Sequence, residues 1–251
     1  MDLGLDGRVY IVTGASRGLG RAVAEALLTD GARVVLSARD ETQVQQTASE
    51  LGRDAAAVAA DSADPETAER LIIAAHENFG RLDGAVLSVG GPPAGSVVDT
   101  PDEDWRTAFE SVFLGGVRLA RTIGVALDDG GSIVLVLSIS VRSPIPGLAI
   151  SNGLRPGLAM VAKQLSDELG PHGVRVNGLM PGRIETSRVR ELDALEGDPD
   201  EVRSRRVAGI PLHRYGHPAE FAKVAAFLVS PAASYVTGTM LAVDGGALRT
   251  P

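Results

Sequence analysis

Three glycines directly after an apolar segment are the first residues whose spacing suggests chemistry. Residues 10–13 have strand composition, and helical periodicity follows directly after the group Gly14, Gly18 and Gly20. A loop between a strand and a helix directs backbone N–H groups and the positive end of the helix dipole at one point. Glycines are needed there because a Cβ atom would block a phosphate or forbid the turn. The loop predicts a site for a dinucleotide pyrophosphate, and a tight turn without a ligand is the alternative.

The order of residues in this loop resembles that of the short-chain dehydrogenase/reductase family. The spacing T-G-x-x-x-G-x-G, with Ser16 and Arg17 inside it, differs from the common G-x-G-x-x-G pattern. Within the family it is similar to the NADP-dependent 3-oxoacyl-carrier-protein reductases. Further matches at 177–186 and 240–246 extend the resemblance over essentially the whole chain. The cofactor contacts that it implies in the loop are Gly14, Ser16, Arg17, Gly18, Leu19 and Gly20.

The residues after the second predicted strand favour NADP(H) over NAD(H). A site for NAD(H) usually has an acidic residue near this point to accept hydrogen bonds from the ribose 2′-hydroxyl, whereas a 2′-phosphate needs a cation and no acid. Ala38 stands in the place of the acid, and Arg39 follows it. The guanidinium groups of Arg17 and Arg39 are able to hold one phosphate together. The sequence therefore predicts NADP(H), although either arginine alone is typical of a solvated surface charge.

Residues after later strands complete the predicted cofactor site. Asp61 and Ser62 follow the third strand, where the resemblance implies a carboxylate that accepts a hydrogen bond from adenine; an N-cap is the alternative role. Ser88 and Gly90 stand where the family has Asn-Asn-Ala-Gly, so the close backbone approach is kept while the side chains differ. The segment that the resemblance assigns to the nicotinamide contributes Pro181, Gly182, Ile184 and Thr186.

The catalytic positions that the resemblance implies are altered. The family has a serine at the end of the fifth strand and a Tyr-x-x-x-Lys pair on the next helix, whose tyrosine protonates the substrate oxygen. Ser138 falls at the serine position, but Ser151 and Arg155 stand where the tyrosine and the lysine belong, and Val112 replaces the relay asparagine. Arg155 is expected to keep a positive charge beside the cofactor ribose. Proton donation by a matched acid contributes roughly 10² to 10⁴ in rate, so the ordinary route is expected to be slow.

Two explanations of this altered site stay open. In the first, a different donor set polarises the substrate oxygen while water supplies the proton; its members are Ser138, Ser151, Asn152 and Arg155. Preorganised donors of this kind are worth about 2.7 to 4 kcal/mol each. In the second, the scaffold has lost its reaction and only binds NADP(H) or a partner. The first has more support, because random decay would keep neither Ser138 nor Arg155.

Alternating elements place these residues at one edge of a sheet. Strands are predicted over 8–13, 33–37, 55–60, 82–88, 132–138, 174–180 and 240–246, and helices over 19–29, 41–51, 65–79, 103–127, 152–169 and 218–228. Repeated β-α units imply parallel pairing, right-handed crossovers and helices on both faces. The predicted fold is therefore α/β, a Rossmann-like doubly wound parallel sheet in a single domain over residues 1–251. Ligands of such sheets bind outside the carboxyl ends of the strands.

A charged helical segment interrupts this alternation near the end of the chain. The resemblance implies that residues 183–217 form a lid over the substrate, and a solvated helical pair is the alternative. Arg183, Arg188 and Arg190 in this segment hint at an acidic or phosphorylated substrate.

Composition limits the remaining classes of function. A net charge of −8 argues against a nucleic-acid or anionic-membrane partner, and the lack of a long apolar run argues against a membrane span. The absence of cysteine excludes thiolate chemistry, and His76, His172, His213 and His217 lack ligand spacing, so no metal is expected. A small-molecule substrate and a cytoplasmic location are predicted.

The resemblance also implies a homotetramer or homodimer. Apolar positions on the two helices that the family uses for this contact support it; they are Val112, Phe113, Leu119, Leu158 and Val161.

Together these features predict a divergent NADP(H)-dependent oxidoreductase that transfers hydride to or from a carbonyl or activated alkene. The alternative is a catalytically impaired protein on the same scaffold that binds NADP(H) or a partner.

Overall fold

A parallel seven-stranded sheet forms the centre of the computed structural model, which describes residues 2–127 and 130–250. Its strands are β1 (Val9–Thr13), β2 (Arg33–Ala38), β3 (Ala55–Ala59), β4 (Gly84–Ser88), β5 (Ser132–Val136), β6 (Arg175–Pro181) and β7 (Met240–Val243). Their order across the sheet is β3-β2-β1-β4-β5-β6-β7, and each neighbouring pair is parallel. The order reverses beside β1, so the crevice for a ligand opens at the carboxyl ends of β1 and β4.

Helices cover both faces of this sheet. They are α1 (Gly18–Thr29), α2 (Glu41–Leu51), α3 (Thr67–Phe79), α4 (Asp102–Ala108), α5 (Gly115–Ala126), α6 (Ala149–Leu169), α7 (Ser187–Leu195), α8 (Pro199–Ala208) and α9 (Pro218–Val229). No helix within the described ranges is long and apolar enough to cross a membrane.

The core lies in two layers because alternate residues of each strand point to opposite faces. Val12 packs with α1 and α9 on one face, whereas Ile11 packs with α3, α5 and α6 on the other. Strand β5 is buried along its whole length, as expected for a strand that is covered on both sides. The predicted Rossmann-like doubly wound sheet in a single domain is confirmed.

The predicted helix over 103–127 is wrong in its middle. Helices α4 and α5 are separated by a π-helical segment, Phe109–Leu114, which contains Val112. A π-helical turn inserts one extra residue, and it therefore turns the side chains that follow relative to those that precede it.

Two predicted boundaries next to the catalytic positions also differ. Strand β5 ends at Val136, so Ser138 lies beyond it and caps a short 3₁₀ turn, Ile139–Val141. Helix α6 begins at Ala149 and not at residue 152, which places both Ser151 and Arg155 inside the helix. Side chains four residues apart on a helix lie on one face, so these two are neighbours.

The apolar residues that supported an oligomer are mostly part of the core. Val112, Leu119 and Leu158 are each at most 4% exposed and pack inside the chain. Phe109 and Met160 present apolar surface on the same helical layer, with exposed fractions of 43% and 70%. The homo-oligomer stays a prediction. Its support comes from the exposed side chains of Phe109 and Met160 and not from the buried ones.

Candidate active site

A cavity of about 1240 Å³ lies at the carboxyl ends of the strands. This volume exceeds the usual 300 to 1,000 Å³ of a small-molecule pocket and leaves room for a dinucleotide together with a substrate. The predicted cofactor contacts line it, together with Ser138, Ser151 and Arg155 of the predicted donor set. These are Gly14, Ser16, Arg17, Gly18, Leu19, Gly20, Arg39, Asp61, Ser62, Ser88, Gly90, Ser138, Ser151, Arg155, Pro181, Gly182, Ile184 and Thr186.

The glycine loop has the geometry of an anion site. Gly14 and Gly18 have φ angles of 61° and 60°, which other L-residues adopt at a cost. A Cβ atom on Gly20 would lie 2.3 Å from the carbonyl oxygen of Gly14, so only glycine lets α1 approach the loop this closely. Helix α1 begins at Gly18, and no side chain caps its first turn. Its first N–H groups lack intrahelical acceptors and are available to a phosphate.

Two arginines at the mouth of the cavity suit a 2′-phosphate. Arg39 forms no ion pair with any described residue, and Arg17 Nη1 lies 4.0 Å from Glu191 Oε1. Asp40, the nearest acid along the chain, instead caps α2 by accepting a hydrogen bond from the Gln43 amide at 3.0 Å. The residues present therefore fit a cofactor with an extra phosphate on its adenosine ribose.

Asp61 has one carboxylate oxygen without a partner at the end of the cavity where adenine is predicted to bind. Asp61 Oδ1 accepts a hydrogen bond from the Ala63 amide at 3.0 Å, whereas Oδ2 has no hydrogen-bond partner among the described residues. The N-cap alternative for Asp61 has little support, since helix α3 begins later, at Thr67. Asp64 Oδ1 accepts from the Glu66 amide at the start of that helix.

Ser138 and Ser151 converge on one neighbour, Ser140. The Ser138 hydroxyl oxygen accepts a hydrogen bond from the Ser140 amide at 3.1 Å. The Ser151 hydroxyl lies 3.2 Å from the Ser140 hydroxyl. Sequence reasoning missed Ser140, because the contact joins a turn to a helix across eleven residues and leaves no local pattern beyond the Ser-x-Ser spacing.

Arg155 is a buried charge without a counter-ion. Only 6% of the residue is exposed, and its Nη1 donates to the Val136 carbonyl oxygen at 2.6 Å. No carboxylate within the described chain pairs with it. Burial lowers the pKa of the guanidinium to about 10, because desolvation disfavours the charged form. The group remains protonated at neutral pH and supplies positive charge to the cavity wall.

Asn152 does not join the donor set that the first explanation proposed. Its Oδ1 accepts from the Ile145 amide, and its Nδ2 donates to the Ile145 carbonyl oxygen, both at 2.9 Å. The side chain closes the loop before α6 and is not part of the cavity wall. The set is therefore reduced to Ser138, Ser151 and Arg155.

No phenol reaches this cluster. Tyr10 is in the core and donates to the Val229 carbonyl oxygen, Tyr215 donates to Asp193 Oδ2 at 3.0 Å, and Tyr235 is fully exposed. None of the three lines the cavity, and no histidine or lysine among the described residues does so. Val112 presents hydrocarbon where the resemblance would place an asparagine. The described part of the wall therefore lacks the tyrosine that the resemblance would use to protonate the substrate oxygen.

The predicted lid lines the cavity through α7, but its arginines are engaged within the chain. Arg183 forms a buried ion pair with Asp193, with 2.5 Å between Nη1 and Oδ1. Arg188 donates to the Pro92 carbonyl oxygen at 2.7 Å, and Arg190 lies 3.7 Å from Glu185. Arg183 and Arg188 nevertheless line the cavity, so an acidic or phosphorylated substrate stays a prediction. In the described ranges no group of acidic, histidine or cysteine side chains is able to hold a metal ion.

Comparison with known proteins agrees with this architecture. Residues 14–247 match the family model described as enoyl-(acyl carrier protein) reductase. The chain is 33% identical to the 3-oxoacyl-[acyl-carrier-protein] reductase FabG of Vibrio cholerae over 246 residues, which cover 97% of this chain and 98% of that protein. It is 35% identical to the L-rhamnose 1-dehydrogenase (NAD(P)(+)) of Azotobacter vinelandii over 250 residues, which cover 95% and 96% of the two chains.

A solved structure shows the same similarity. The L-sorbose reductase of Gluconobacter frateurii, complexed with NADPH and L-sorbose, superposes with a TM-score of 0.90 and is 31% identical, with both chains covered completely.

We expect Arg155→Met to leave the free energy of unfolding unchanged or to raise it. The folded-state pKa lies below that of an unfolded arginine, so the buried charge lowers stability at neutral pH and the cost is relieved only above about pH 10. Urea unfolding would measure the change.

Arg175→Met is the matched control, since Arg175 is also buried and has a lowered pKa. Its guanidinium donates to the carbonyl oxygens of Leu228, Ser230 and Val236, so its loss should cost about 2 to 4 kcal/mol. An equal loss of stability in both variants would contradict the claim that the buried charge of Arg155 lowers the stability of the fold.

Proposed function

Because the chain belongs to the short-chain dehydrogenase/reductase family of oxidoreductases, we propose that it transfers hydride between NADP(H) and a carbonyl or activated-alkene substrate. One observation carries the proposal: a single cavity joins an uncapped glycine loop at one end to Ser138, Ser151 and Arg155 at the other. The glycine loop suits a dinucleotide, and the second group suits a substrate oxygen.

The preference for NADP(H) is supported by charge at the adenosine end. Arg17 and Arg39 supply two guanidinium groups, and Ala38 stands at the position where an acid would repel a 2′-phosphate. Asp40 also lines the cavity, and its carboxylate accepts a hydrogen bond from the Gln43 amide. The related L-sorbose reductase was solved with NADPH, and the related L-rhamnose dehydrogenase is named for NAD(P)(+). Asp61 Oδ2 is free to accept from the adenine amino group. Thr186 lies against the glycine loop, with its Cγ2 atom 3.7 Å from where a Cβ on Gly18 would be, and Ile184 also lines the cavity.

NADPH would supply the hydride, and the chain would bind, orient and polarise the partner of that transfer. The hydroxyl groups of Ser138 and Ser151 would donate hydrogen bonds to the substrate oxygen. The positive charge of Arg155, which is buried, would lower the energy of the negative charge that develops on that oxygen. Water would supply the proton, because the described wall offers no suitable acid.

Magnitudes favour slow but measurable turnover. A preorganised donor contributes about 2.7 to 4 kcal/mol to the transition state, and a lost general acid costs roughly 10² to 10⁴ in rate. Two hydroxyl donors and a buried cation offset part of that loss.

The substrate class that we propose is an acyl compound such as a 3-oxoacyl thioester. The cavity wall includes a set of apolar residues, which are Pro92, Pro93, Ile139, Pro144, Ile145, Pro146, Leu192, Ile210 and Leu248. An acyl chain would bury its hydrocarbon against these side chains. The similarity to the Vibrio cholerae reductase also favours an acyl substrate.

A protein that only binds NADP(H) or a partner is the second candidate. The observation that favours it is the absence of a phenol from the described cavity wall, together with the hydrocarbon of Val112. The two candidates differ in turnover and not in cofactor affinity.

Assembly into a homo-oligomer belongs to the same proposal. Phe109 stacks on Phe113 with 5.3 Å between ring centroids, and Phe109 and Met160 leave apolar surface on neighbouring helices. Light scattering is expected to give a multiple of the 26.0 kDa chain mass, and a monomer would contradict this part of the proposal.

Arg39→Ala should raise the dissociation constant for NADPH by roughly 10- to 100-fold and leave that for NADH unchanged. Hydrogen bonds between charged groups contribute about 1.5 to 3 kcal/mol, and only NADPH carries the 2′-phosphate. Fluorescence titration would measure both constants. Arg53→Ala is the control, since the Arg53 side chain is 94% exposed and lies outside the cavity. Equal affinity of the parent for NADPH and NADH would contradict the phosphate site.

Ser151→Tyr combined with Arg155→Lys should raise the reduction of an acetoacetyl thioester by roughly 10² to 10⁴, because it restores a proton donor of matched acidity. The parent is expected to show slow turnover that Ser138→Ala abolishes. If only the combined variant turns over, the parent is a binding protein. If neither turns over while both bind NADPH, the carbonyl-reductase proposal is wrong.

A further inference from the structure

We propose that Ser140 is a positioning residue that holds the hydroxyl groups of Ser138 and Ser151 as a pair of donors to one substrate oxygen. The inference deepens the proposed function and depends on it. It assigns a role to a residue that is 4% exposed and does not itself line the cavity.

The backbone of Ser140 fixes the first hydroxyl. Its amide donates to Ser138 Oγ at 3.1 Å. A serine hydroxyl has one proton to donate and two lone pairs to accept. With a lone pair engaged, the Ser138 proton has no acceptor among the described residues, and Ser138 lines the cavity. That proton is therefore available to a ligand.

The side chain of Ser140 fixes the second hydroxyl. Ser140 Oγ lies 3.2 Å from Ser151 Oγ and 3.5 Å from the Ser151 carbonyl oxygen. If Ser140 donates to Ser151 Oγ, the Ser151 proton is free to point into the cavity. If Ser140 donates to the carbonyl oxygen, Ser151 donates to Ser140 and offers a lone pair to the cavity. The first arrangement is the one that reduction of a carbonyl oxygen requires, because it presents Ser151 as a donor beside Ser138.

The turn that carries Ser140 is anchored on both sides. Ile139 and Val141 flank Ser140 in the 3₁₀ turn, and both pack against the core beneath the sheet. Ser140 thus has little freedom to follow a moving partner. A buried hydroxyl without a partner is costly, so the contact between Ser140 and Ser151 is maintained.

Substitution at Ser140 separates its two contacts. Ser140→Ala keeps the amide that serves Ser138 and removes the hydroxyl that serves Ser151. Ser140→Thr keeps both and acts as the conservative rescue. Ser166→Ala is the matched control: Ser166 is 3% exposed on the same helix as Ser151 and donates to the Lys163 carbonyl oxygen at 2.7 Å, outside the cavity.

The direct readout is the infrared carbonyl band of a bound probe. The probe is acetoacetyl-N-acetylcysteamine carrying ¹³C at the 3-oxo carbon, bound with NADP⁺ so that no hydride is transferred. Hydrogen-bond donors move the band of a carbonyl group to lower frequency. We expect the parent, Ser140→Thr and Ser166→Ala to share one lowered band. The decrease in band frequency should become smaller by the same amount in Ser140→Ala and in Ser151→Ala. Combining these two substitutions should not reduce it further, because both remove the same hydrogen bond.

Turnover gives a second readout. In Ser140→Ala we expect kcat to fall toward the value of Ser151→Ala, with the dissociation constant for NADPH unchanged. A parent-like band and kcat in Ser140→Ala would overturn the inference and leave the proposed function standing. An unshifted band in the parent would overturn the donor pair and the polarising role together. Failure of the parent protein to bind NADPH would instead contradict the proposed cofactor.

Discussion

The close contact between helix α1 and the loop after β1 is the constraint on which the cofactor site depends. A Cβ atom at Gly20 would come within 2.3 Å of the Gly14 carbonyl oxygen, and one at Gly14 would come within 2.7 Å of the Ser88 carbonyl oxygen. These glycines bring the start of α1, the end of β1 and the end of β4 together at one point. The uncapped N–H groups of α1 then face the cavity, and Arg17 and Arg39 flank it. Geometry suited to a phosphorylated dinucleotide follows from backbone packing more than from any single side chain.

The opposite end of the cavity depends on a different physical balance. Arg155 keeps its charge in a buried position with a single backbone carbonyl as its partner among the described residues, an arrangement that lowers stability. Such a cost is typical of a functional position, where a strained or desolvated group is retained for binding or catalysis. Ser138 and Ser151 provide hydroxyl donors beside it, and Ser140 links them. We propose that these groups stabilise negative charge on a substrate oxygen. No tyrosine, histidine or lysine among the described residues lines the cavity to protonate that oxygen.

Much of this arrangement could be predicted from sequence, because it depends on local patterns. Apolar runs and glycine turns located the strands and the loops after them, and the predicted cofactor contacts line the cavity together with Ser138, Ser151 and Arg155. The helix interruption at Phe109–Leu114 was not predictable, since its apolar spacing continues through the π-helical turn. The start of α6 was placed too late because no side chain caps it and Pro156 lies within it. The roles of Ser140 and Asn152 could not be predicted from the sequence, because they depend on contacts between a loop and a helix that only the folded chain reveals.

Hydride transfer is the central claim, and a single-turnover reaction with NADPH deuterated at the transferred position of the nicotinamide ring tests it most directly. The enzyme would be mixed in excess with this cofactor and an acetoacetyl thioester, and the product would be analysed by mass spectrometry. We expect deuterium at C3 of a 3-hydroxyacyl product, which the unsubstituted protein should form slowly. Tight binding of the deuterated cofactor without any deuterium in the acyl product would contradict it.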